Sequence, residues 1–279
     1  MKNILVAGAT GKVGRRVVGR LRASGHPVRA ASRTNLDLGD PTTWAKALDG
    51  VTAAYLLEPD LRPGTDHHAR VPAFVDRAVR AGVRRFVLLS AYNVGDDHPL
   101  RPAEQALRDS GEDWTILRPD WFAQNFSEGP WLPGVLGGTL ALPTGDGATP
   151  FIDAGDIAEV AARALTEDRH SGRTYQLTGP RAITFAEAAD LIGRAAGRTV
   201  RHEDVAPEVL VERWVSAGVP EDVARLLTGL LVDIGDGRAA PVSDGVERAL
   251  GRPARSFEDY VTEAAASGAW TAPRERAPE

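Results

Sequence analysis

The chain has 279 residues and a formal net charge of -5, and its 43% hydrophobic and 25% charged residues are typical of a globular protein. Basic residues are scattered rather than clustered, which argues against nucleic-acid binding, and no apolar run approaches the ~20 residues of a membrane span. The absence of cysteine excludes disulfides and every thiolate ligand or nucleophile. Because residues 1–10 lack a signal-peptide pattern, we expect a cytoplasmic protein, monomeric or homodimeric, with no nucleic-acid or membrane partner.

Strands and helices alternate through the first half of the chain. A short apolar run at residues 3–7 predicts a strand buried on both faces, and helical spacing over residues 15–24 predicts a helix that ends at Gly25. Helices are also predicted at 69–81, at 102–109 and from Asp40 and Pro41 onward, where Trp44 and Leu48 mark the buried face. Further strands are predicted at 28–32, 51–57, 85–90, 114–117 and 175–178. This alternation predicts an α/β fold with a Rossmann-type, doubly wound parallel sheet.

The second half of the chain has a different pattern. Residues 121–150 combine glycine, proline and aromatic side chains, which predicts an irregular flap near the ligand rather than a core element. Beyond Gly179 the pattern turns helical and no clear strand follows. Helix N-termini are predicted at a capping box of Thr184 and Glu187, at Pro207, at Ser243 and at Ser256. We expect a smaller, mostly helical C-terminal portion that covers the substrate, since ligands of such sheets bind at the carboxyl ends of the strands.

A GxxGxxG sequence follows the first predicted strand and opens the first helix. Its glycines would allow a tight turn, a close approach of the backbone to a pyrophosphate, and close packing of the helix on the strand. The helix N-terminus then presents free N–H groups and a positive dipole end to the phosphates. Strand, loop and helix together predict a dinucleotide-binding site, with a purely structural turn as the alternative. The loop residues assigned to the site are Gly8, Thr10, Gly11, Lys12, Val13 and Gly14.

The residues after the second predicted strand indicate which dinucleotide binds. NAD-binding sites usually carry an acidic residue there, whose carboxylate would repel a 2′-phosphate. This chain has Ser32 and Arg33 instead, and a guanidinium beside a hydroxyl favours NADPH/NADP+ as the cofactor. Lys12, Arg15 or Arg16 could add to the positive field. The alternative is that Arg33 is a solvated loop residue.

Four segments carry a family resemblance. They are Gly-Ala-Thr-Gly-Lys-Val-Gly at 8–14, Arg-Ala-Ala-Ser-Arg at 29–33, Leu-Leu-Ser-Ala at 88–91, and Trp-Thr-Ile-Leu-Arg-Pro-Asp-Trp-Phe-Ala-Gln-Asn-Phe at 114–126. With these segments the chain resembles, over nearly its whole length, the NmrA-like branch of the atypical short-chain dehydrogenase/reductases. That branch includes NADPH-dependent reductases of quinones, imines and alkenes, and redox-sensing regulators that bind the cofactor without turnover. The chain omits a helix usually found after Arg33, which is similar to the ergot-alkaloid-biosynthesis reductases.

The resemblance implies positions for further site residues. The adenine would lie between Asp37 and Leu38, and the adenosine side would be lined by Leu57, Glu58 and Pro59. The nicotinamide would be approached by Ser90, Ala91 and Tyr92, with Pro119 on the opposite strand end. The substrate pocket would be lined by Tyr92, Trp121, Phe122, Asn125 and Trp131, and an aromatic pocket suits a planar apolar substrate.

Tyr92 is the one catalytic candidate, and it lacks a usual partner. In many short-chain dehydrogenases a lysine four residues after the tyrosine lowers the pKa of the phenol, so that it can protonate a carbonyl. Asp96 stands at that position here. An iminium or a quinone is already electrophilic, and hydride delivery to it needs orientation more than a strong acid. We expect no metal site, because His67 and His68 are adjacent loop residues whose side chains point apart.

These features together predict an NADPH-dependent reductase that transfers hydride to a small planar electrophile, an imine or iminium, a quinone or an enone. The alternatives are an NADP(H)-sensing regulatory protein without turnover, and a cyclase or isomerase on the same fold. The predicted cofactor domain comprises residues 1–130 and 153–180. The predicted substrate-covering portion comprises residues 131–152 and 181–271, and a loose tail is expected at 272–279.

Overall fold

The computed structural model describes residues 3–58, 67–239 and 241–271. The strands in these residues are β1 (Ile4–Val6), β2 (Val28–Ala30), β3 (Ala53–Leu57), β4 (Arg85–Leu89), β5 (Asp113–Pro119), β6 (Thr139–Ala141), β7 (Ala148–Thr149), β8 (Arg173–Leu177), β9 (Ile183–Thr184) and β10 (Arg201–Glu203).

The helices over the same residues are α1 (Lys12–Ala23), α2 (Trp44–Leu48), α3 (His67–Arg80), α4 (Arg101–Asp109), α5 (Asn125–Glu128), α6 (Leu132–Gly137), α7 (Ala154–Thr166), α8 (Phe185–Ala196), α9 (Pro207–Ser216), α10 (Glu221–Gly235), α11 (Gly245–Leu250) and α12 (Phe257–Ala266). None of these helices combines the length and the apolar character that crossing a bilayer requires.

The first of two compact units is built on a six-stranded sheet. This unit comprises Met1–Asp120, Ala154–Thr178 and Ser243–Ala254. All neighbouring strands are parallel, in the order β2-β1-β3-β4-β5-β8. The chain moves outward from β1 to β2 and then returns past β1 to β3. The crevice between the carboxyl ends of β1 and β3 is therefore the topological switch point, where ligands of doubly wound sheets bind.

Helices cover this sheet on both faces, which explains why the inner strands β1 and β3 are apolar over their whole length. Leu56 and Phe86 pack with Phe74 of α3 in one hydrophobic cluster. Tyr55 and Val87, one position away along their strands, point to the opposite face. On that face α7 contacts β3, β4 and β5 and packs against α1. The predicted α/β fold with a Rossmann-type doubly wound parallel sheet is confirmed.

The connection from β2 to β3 is short, in agreement with the segment missing after Arg33. It holds a 3-10 turn at Pro41–Thr43 followed by the five residues of α2. The Asp40 carboxylate accepts a hydrogen bond from the Thr42 N–H at 3.0 Å and caps this turn. Trp44 and Leu48 are 6% and 1% exposed. The predicted helix start and its buried face are both confirmed.

Three of the predicted helix N-termini are confirmed. Thr184 Oγ1 accepts from the Glu187 N–H at 3.0 Å at the start of α8, and Ser256 Oγ accepts from the Asp259 N–H at 3.0 Å at the start of α12. α9 begins at Pro207, whose missing N–H is no loss in a first turn. These signals are local, and the local sequence was sufficient to find them.

The predicted N-cap at Ser243 is wrong. Asp244 precedes α11, and the Ser243 hydroxyl donates instead to the Gln176 carbonyl oxygen at 2.8 Å. The Ser243 N–H also donates to Thr178 Oγ1 at 2.9 Å. The segment is docked closely on β8, since a Cβ on Gly245 would lie 1.7 Å from the Gln176 carbonyl oxygen. The Ser243 hydroxyl therefore bonds to a residue distant in the sequence and does not cap the helix, contrary to the prediction from the sequence pattern.

The second compact unit is mostly helical. It comprises Trp121–Asp153, Gly179–Val242 and Arg255–Glu279. It contains two small sheets, a parallel pair of β10 with β6 and an antiparallel pair of β7 with β9. The expectation that no clear strand follows Gly179 is wrong, because β9 and β10 lie beyond it. They have only two and three residues. Strands this short cannot show an alternating pattern.

Residues 121–150 supply part of the core of this unit, so the prediction of an irregular flap outside the core is wrong. Phe126 and Trp131 are 0% and 3% exposed, and their ring centroids lie 4.7 Å apart. Phe126 also contacts the rings of Phe151 and Phe185. Large aromatic side chains bury much apolar area even when they lie on helices as short as α5 and α6. Elements of this length show no readable periodicity, which is why the pattern predicted a loop.

The compact units differ from the predicted domain boundaries mainly at residues 121–130 and 243–254, and by one or two residues at 153 and 179–180. Residues 121–130 belong to the second unit, where Phe122 forms a bridge with Ile152. Residues 243–254 belong to the first unit, because α11 packs on α7 and β8. The tail predicted at 272–279 lies outside the described residues. That the second unit covers a substrate stays a prediction.

Candidate cofactor-binding site

The predicted cofactor residues of the first unit lie at one edge of its sheet. The carboxyl ends of parallel strands meet at the same edge, and each strand from β1 to β5 delivers one group of these residues there. The groups are the glycine loop after β1, Ser32 and Arg33 after β2, Leu57 and Glu58 at the end of β3, Ser90 to Tyr92 after β4, and Pro119 at the end of β5.

The glycine loop turns sharply at the switch point. Gly8 has a φ of +62°, a conformation that favours glycine, and a Cβ on it would lie 2.7 Å from Leu57 Cδ2. The Gly11 N–H donates to the Gly8 carbonyl oxygen at 2.9 Å and closes the turn. The Ala9 N–H donates to the Ala31 carbonyl oxygen at 2.8 Å. The loop thus contacts β3 on one side and the end of β2 on the other.

Gly14 determines how closely α1 approaches this loop. A Cβ on Gly14 would lie 2.1 Å from the Gly8 carbonyl oxygen, so a larger residue does not fit there. Gly11 precedes α1 without a capping side chain, and the first turn contains no acidic residue. The first N–H groups of a helix have no intrahelical acceptor. A cradle kept open by glycine, next to an uncapped helix start, fits the phosphates of a dinucleotide.

Three basic side chains lie at the same helix start. Burial, followed by repulsion from Arg15 and Arg16, lowers the pKa of the Lys12 ammonium from its ordinary value. Arg16 also donates to the Lys12 carbonyl oxygen at 2.7 Å. Positive charge beside the positive end of a helix dipole is unfavourable by itself, and a bound anion would relieve it. The charge of the site therefore matches a phosphorylated ligand.

Arg33 lies in the turn after β2, and its side chain is exposed. The Ser32 N–H donates to Asn35 Oδ1 at 2.7 Å, and Ser32 Oγ shares a hydrogen bond with Thr34 Oγ1 at 2.9 Å. These contacts hold the backbone of the turn. In the described part of the chain nothing pairs with the Arg33 guanidinium, so it can be offered to a ligand.

Asp37 and Leu38, predicted to flank the adenine, have different environments. Asp37 is exposed, and its Oδ1 accepts a hydrogen bond from the Gly39 N–H at 2.8 Å. Leu38 is 6% exposed and belongs to the same hydrophobic cluster as Trp44. Most of the Leu38 side chain is therefore used in packing, and its contact with a ligand stays a prediction.

The remaining predicted cofactor residues range from exposed to buried. Thr10 is exposed at the tip of the glycine loop, whereas Val13 packs inward from α1. Leu57 is partly buried beside Gly8, and Glu58 is buried. Pro59 lies outside the described residues.

The ends of β4 and β5 bring Tyr92 next to an acidic residue. The Tyr92 N–H donates to the Pro119 carbonyl oxygen at 3.0 Å. Asp120, 7% exposed, follows Pro119 directly. Asn93 has a φ of +56°, in the left-handed region that few residues other than glycine and asparagine adopt. The chain turns sharply just after Tyr92, which fixes the backbone from which the phenol projects.

The surroundings of Tyr92 make it a poor proton donor. Burial, and then the carboxylate of Asp120, raise the pKa of the Tyr92 phenol above its ordinary value. Asp96, four residues after Tyr92, forms an ion pair with Arg101 at 3.3 Å. A raised pKa means a weaker acid, so the environment acts opposite to the one that proton donation requires.

A buried carboxylate beside Ser90 was not predicted from the sequence. Glu104 on α4 is 0% exposed, and its Oε1 accepts a hydrogen bond from Ser90 Oγ at 2.6 Å. Arg118 of β5 donates to both Glu104 oxygens at 2.8 and 2.6 Å, and Arg108 donates to Oε2 at 3.0 Å. A glutamate and an arginine four positions apart on a helix are typical of an exposed pair. Nothing in the local pattern showed that this pair faces two strands.

The other predicted substrate-pocket residues lie in the second unit. Trp121 and Phe122 are partly exposed, while Asn125 and Trp131 are 9% and 3% exposed. The rings of Trp121 and Trp131 lie 5.3 Å apart between centroids. Trp131 is therefore mainly a packing residue. Its contact with a substrate stays a prediction.

No metal centre is found in the residues that the structure describes, where no three histidine, aspartate or glutamate side chains are grouped to hold an ion. The backbones of His67 and His68 begin α3, but their side chains lie outside the described part of the structure.

A parallel sheet with an uncapped glycine loop at its switch point defines a dinucleotide-binding α/β protein. A sequence model described as NAD(P)H-binding matches residues 8–168, which is more than half of the chain. The chain therefore belongs to this NAD(P)H-binding family.

Similar proteins align with nearly the whole chain. The uncharacterized oxidoreductase YesF of Bacillus subtilis (strain 168) is 37% identical over 281 positions, covering 96% of each chain. Agroclavine dehydrogenase of Claviceps fusiformis is 30% identical over 281 positions, covering 93% of this chain and 96% of the relative. The crystal structure of Citrobacter sp. triphenylmethane reductase complexed with NADP(H) has a TM-score of 0.76 and 24% identity, covering 95% of this chain and 100% of the other.

These comparisons confirm the predicted family. The similarity to agroclavine dehydrogenase agrees with the predicted likeness to ergot-alkaloid reductases. The NAD(P)H-binding family model and the oxidoreductase relatives agree with the predicted type of enzyme and cofactor. The triphenylmethane reductase structure supports the fold.

Proposed function

We propose that the chain is an NADPH-dependent reductase that transfers hydride to a small planar electrophile, an imine or iminium, a quinone or an enone. The observation that carries this proposal is the environment of Tyr92. The phenol lies beside Asp120, its pKa is raised, and Asp96 occupies the position of the lysine that would make it acidic. A site without a strong acid favours an electrophile that accepts hydride before it is protonated.

The residues of the first unit fit NADPH. The glycine loop and the start of α1 would hold the pyrophosphate, and Arg33 would contact the 2′-phosphate. Bound NADPH would supply the hydride. Leu57 would line the adenosine side, and Ser90 and Tyr92 would lie near the nicotinamide. A guanidinium after β2, where an acidic residue would repel a 2′-phosphate, supports NADPH over NADH.

A sensing role without turnover is the principal alternative. Two of the proteins compared above are a dehydrogenase and a reductase by name, which supports hydride transfer in this chain as well. The aromatic residues of the second unit, Trp121 and Phe122 among them, are our candidates for the surface that covers a planar substrate.

A substrate panel tests the proposed function. NADPH oxidation is followed spectrophotometrically with quinones, cyclic imines and enones, and with simple ketones of matched size as the control. We expect turnover of at least one of the first three classes and none of the ketones, because a ketone needs a proton donor at its oxygen.

Each other outcome contradicts the proposal in a different way. Reduction of the ketones at a comparable rate would show that a strong acid is present. Tight NADPH binding without oxidation by any compound would favour the sensing protein. Conversion of a substrate without net NADPH oxidation would favour a cyclase or an isomerase.

A further inference from the structure

Glu104 is a buried carboxylate that accepts hydrogen bonds from three side chains. Its side chain is completely buried, and it accepts hydrogen bonds from Ser90, from Nε and Nη2 of Arg118 and from Arg108. These contacts connect α4 to the carboxyl ends of β4 and β5. Among them, only the contact with Ser90 reaches a residue predicted to approach the nicotinamide.

The direction of the hydrogen bond between Ser90 and Glu104 is determined by charge. Burial opposes ionisation of Glu104, but the hydrogen bonds from Arg118 and Ser90 outweigh it and hold the pKa of the carboxyl below its ordinary value. An ionised carboxylate can only accept hydrogen bonds. Ser90 must therefore be the donor across the 2.6 Å that separates Ser90 Oγ from Glu104 Oε1.

A serine hydroxyl has one proton and two lone pairs. Since Ser90 donates its hydroxyl proton in the hydrogen bond to Glu104, the hydroxyl oxygen can act toward a ligand only as an acceptor. We propose that Glu104 is a positioning residue that holds Ser90 as a hydrogen-bond acceptor, so that the site favours electrophiles with an N–H donor over those with a carbonyl oxygen. This inference rests on the proposed function for its ligand, but not for the orientation of Ser90.

The variant Glu104→Gln should reverse this orientation. The carbonyl of the glutamine is best placed at the former Oε2 position, where it accepts from both Arg108 and Arg118. Its amide then faces Ser90 as a donor and lies against one guanidinium donor, the Arg118 Nε–H, whereas the opposite placement would set the amide against two, one from Arg108 and one from Arg118. Ser90 would accept from this amide, and its own proton would be released toward the ligand.

The first experiment needs no substrate. In protein labelled selectively at serine, a hydroxyl proton held by a buried carboxylate exchanges slowly with water and gives an observable NMR resonance. We expect such a resonance in the wild type, its absence in Ser90→Ala, and a clear shift or loss in Glu104→Gln. A wild-type spectrum without a resonance that Ser90→Ala removes would overturn the proposal, whatever the activity of the enzyme.

The second experiment measures substrate preference. The ratio of kcat/KM for 1,4-benzoquinone to that for protonated 3,4-dihydroisoquinoline is compared in the wild type, Glu104→Gln, Ser90→Ala and the double variant. We expect Glu104→Gln to raise this ratio about tenfold, the value of one hydrogen bond gained by a carbonyl oxygen. In the Ser90→Ala background the same change should leave the ratio constant. A purely structural role would lower both rates together, and an equal change of the ratio in both backgrounds would overturn the proposal.

One variant serves as a control. Arg108→Ala removes one contact of Glu104 but keeps the hydrogen bond with Ser90, so the ratio should stay at the wild-type value. If Glu104→Gln fails to fold, Glu104→Asp replaces it, since the shorter carboxylate withdraws from Ser90 and should abolish the protected resonance.

The proposed function and this inference can fail separately. A wild type that oxidises NADPH with neither probe contradicts the proposed function, while the NMR experiment still decides the orientation of Ser90. Turnover without the protected hydroxyl supports the proposed function and contradicts the role of Glu104.

Discussion

Arg33 is the exposed side chain that we propose to distinguish NADPH from NADH. It stands after β2 on a turn that Ser32 and its neighbours hold by their own hydrogen bonds. The Arg33 side chain therefore does not hold the turn, and removing it should weaken cofactor binding rather than folding.

The variant Arg33→Ala should weaken NADPH binding and leave NADH binding nearly unchanged, because the contact with the 2′-phosphate exists only in NADPH. Such a charge-assisted hydrogen bond is worth about 1.5–3 kcal/mol, and the exposure of Arg33 places it at the lower end, roughly a tenfold increase in Kd. Titration calorimetry with both dinucleotides measures the effect. Arg22→Ala, at the opposite end of α1, is the control that should change neither affinity. An equal loss for the two dinucleotides would refute the assignment.

Tyr92 tests the chemistry at the same scale. If the electrophile accepts hydride before protonation, Tyr92→Phe should keep most of kcat, since the ring still shapes the pocket. A general acid at this position would instead be worth about 10²–10⁴ in rate. Stopped-flow measurement of hydride transfer distinguishes the two, with Tyr92→Ala as the variant that also removes the ring. A loss in the upper range, with NADPH affinity intact, would show that the phenol is the proton donor.

At the scale of elements, the packing of α1 on the glycine loop depends on one missing Cβ. Gly14 and Gly19 are both glycines of α1 with helical backbone, but their surroundings differ. A Cβ on Gly14 would lie 2.1 Å from the Gly8 carbonyl oxygen, whereas a Cβ on Gly19 would have no neighbour within 4 Å. Substituting Gly14 and Gly19 in turn therefore distinguishes the effect of helix propensity from the effect of the close contact with the glycine loop.

Gly14→Ala should destabilise the protein by about 1–3 kcal/mol, as overpacking does, and should weaken NADPH binding because the loop must shift. Gly19→Ala should be neutral or stabilising by roughly 0.5–1 kcal/mol, since alanine is the better helix former. Urea unfolding gives the free energies of unfolding, and calorimetry gives the affinities. Similar results for the two variants would mean that the close approach does not constrain the loop.

At the scale of the whole molecule, a buried histidine makes stability depend on pH. His170 is 0% exposed, and its Nδ1 lies 2.9 Å from the Tyr175 hydroxyl oxygen. Burial, followed by repulsion from Arg169, lowers the pKa of the imidazole below its ordinary value of 6.5. The unfolded chain therefore binds a proton at a pH where the folded chain does not. Stability is complete above pH 7 and is lost as pH falls below the unfolded value.

We expect the Tm to fall between pH 7.5 and 5.5, and His170→Gln to reduce this fall because glutamine does not titrate. Protonation of His170 changes the free energy of unfolding by up to about 1.4 kcal/mol per pH unit. Each kcal/mol corresponds to about 2–4 °C in Tm for a chain of this size. The control is His26→Gln, the same substitution at a partly exposed position. His98, whose pKa burial also lowers, contributes with the same sign. Equal pH dependence in the wild type and His170→Gln would exclude this role.

Local signals in the sequence were sufficient for the sheet and for the glycine loop that opens α1. The apolar runs of β1 and β3, the glycine loop and the caps at Asp40, Thr184 and Ser256 depend on residues a few positions apart. Backbone conformation and capping are set within one or two turns of the chain, so a linear pattern reports them directly. For the same reason the sequence predicted that the glycine loop opens α1.

Contacts between distant elements could be found only in the folded chain. Glu104 accepts hydrogen bonds from Ser90 and Arg118, Ser243 donates to a carbonyl of β8, and Trp131 packs in an aromatic core. A serine, a glutamate or a tryptophan has the same local pattern whether it faces water, a ligand or another element. Which of these surrounds it depends on how helices and strands pack, because burial and hydrogen-bond partners arise from residues far apart in the chain.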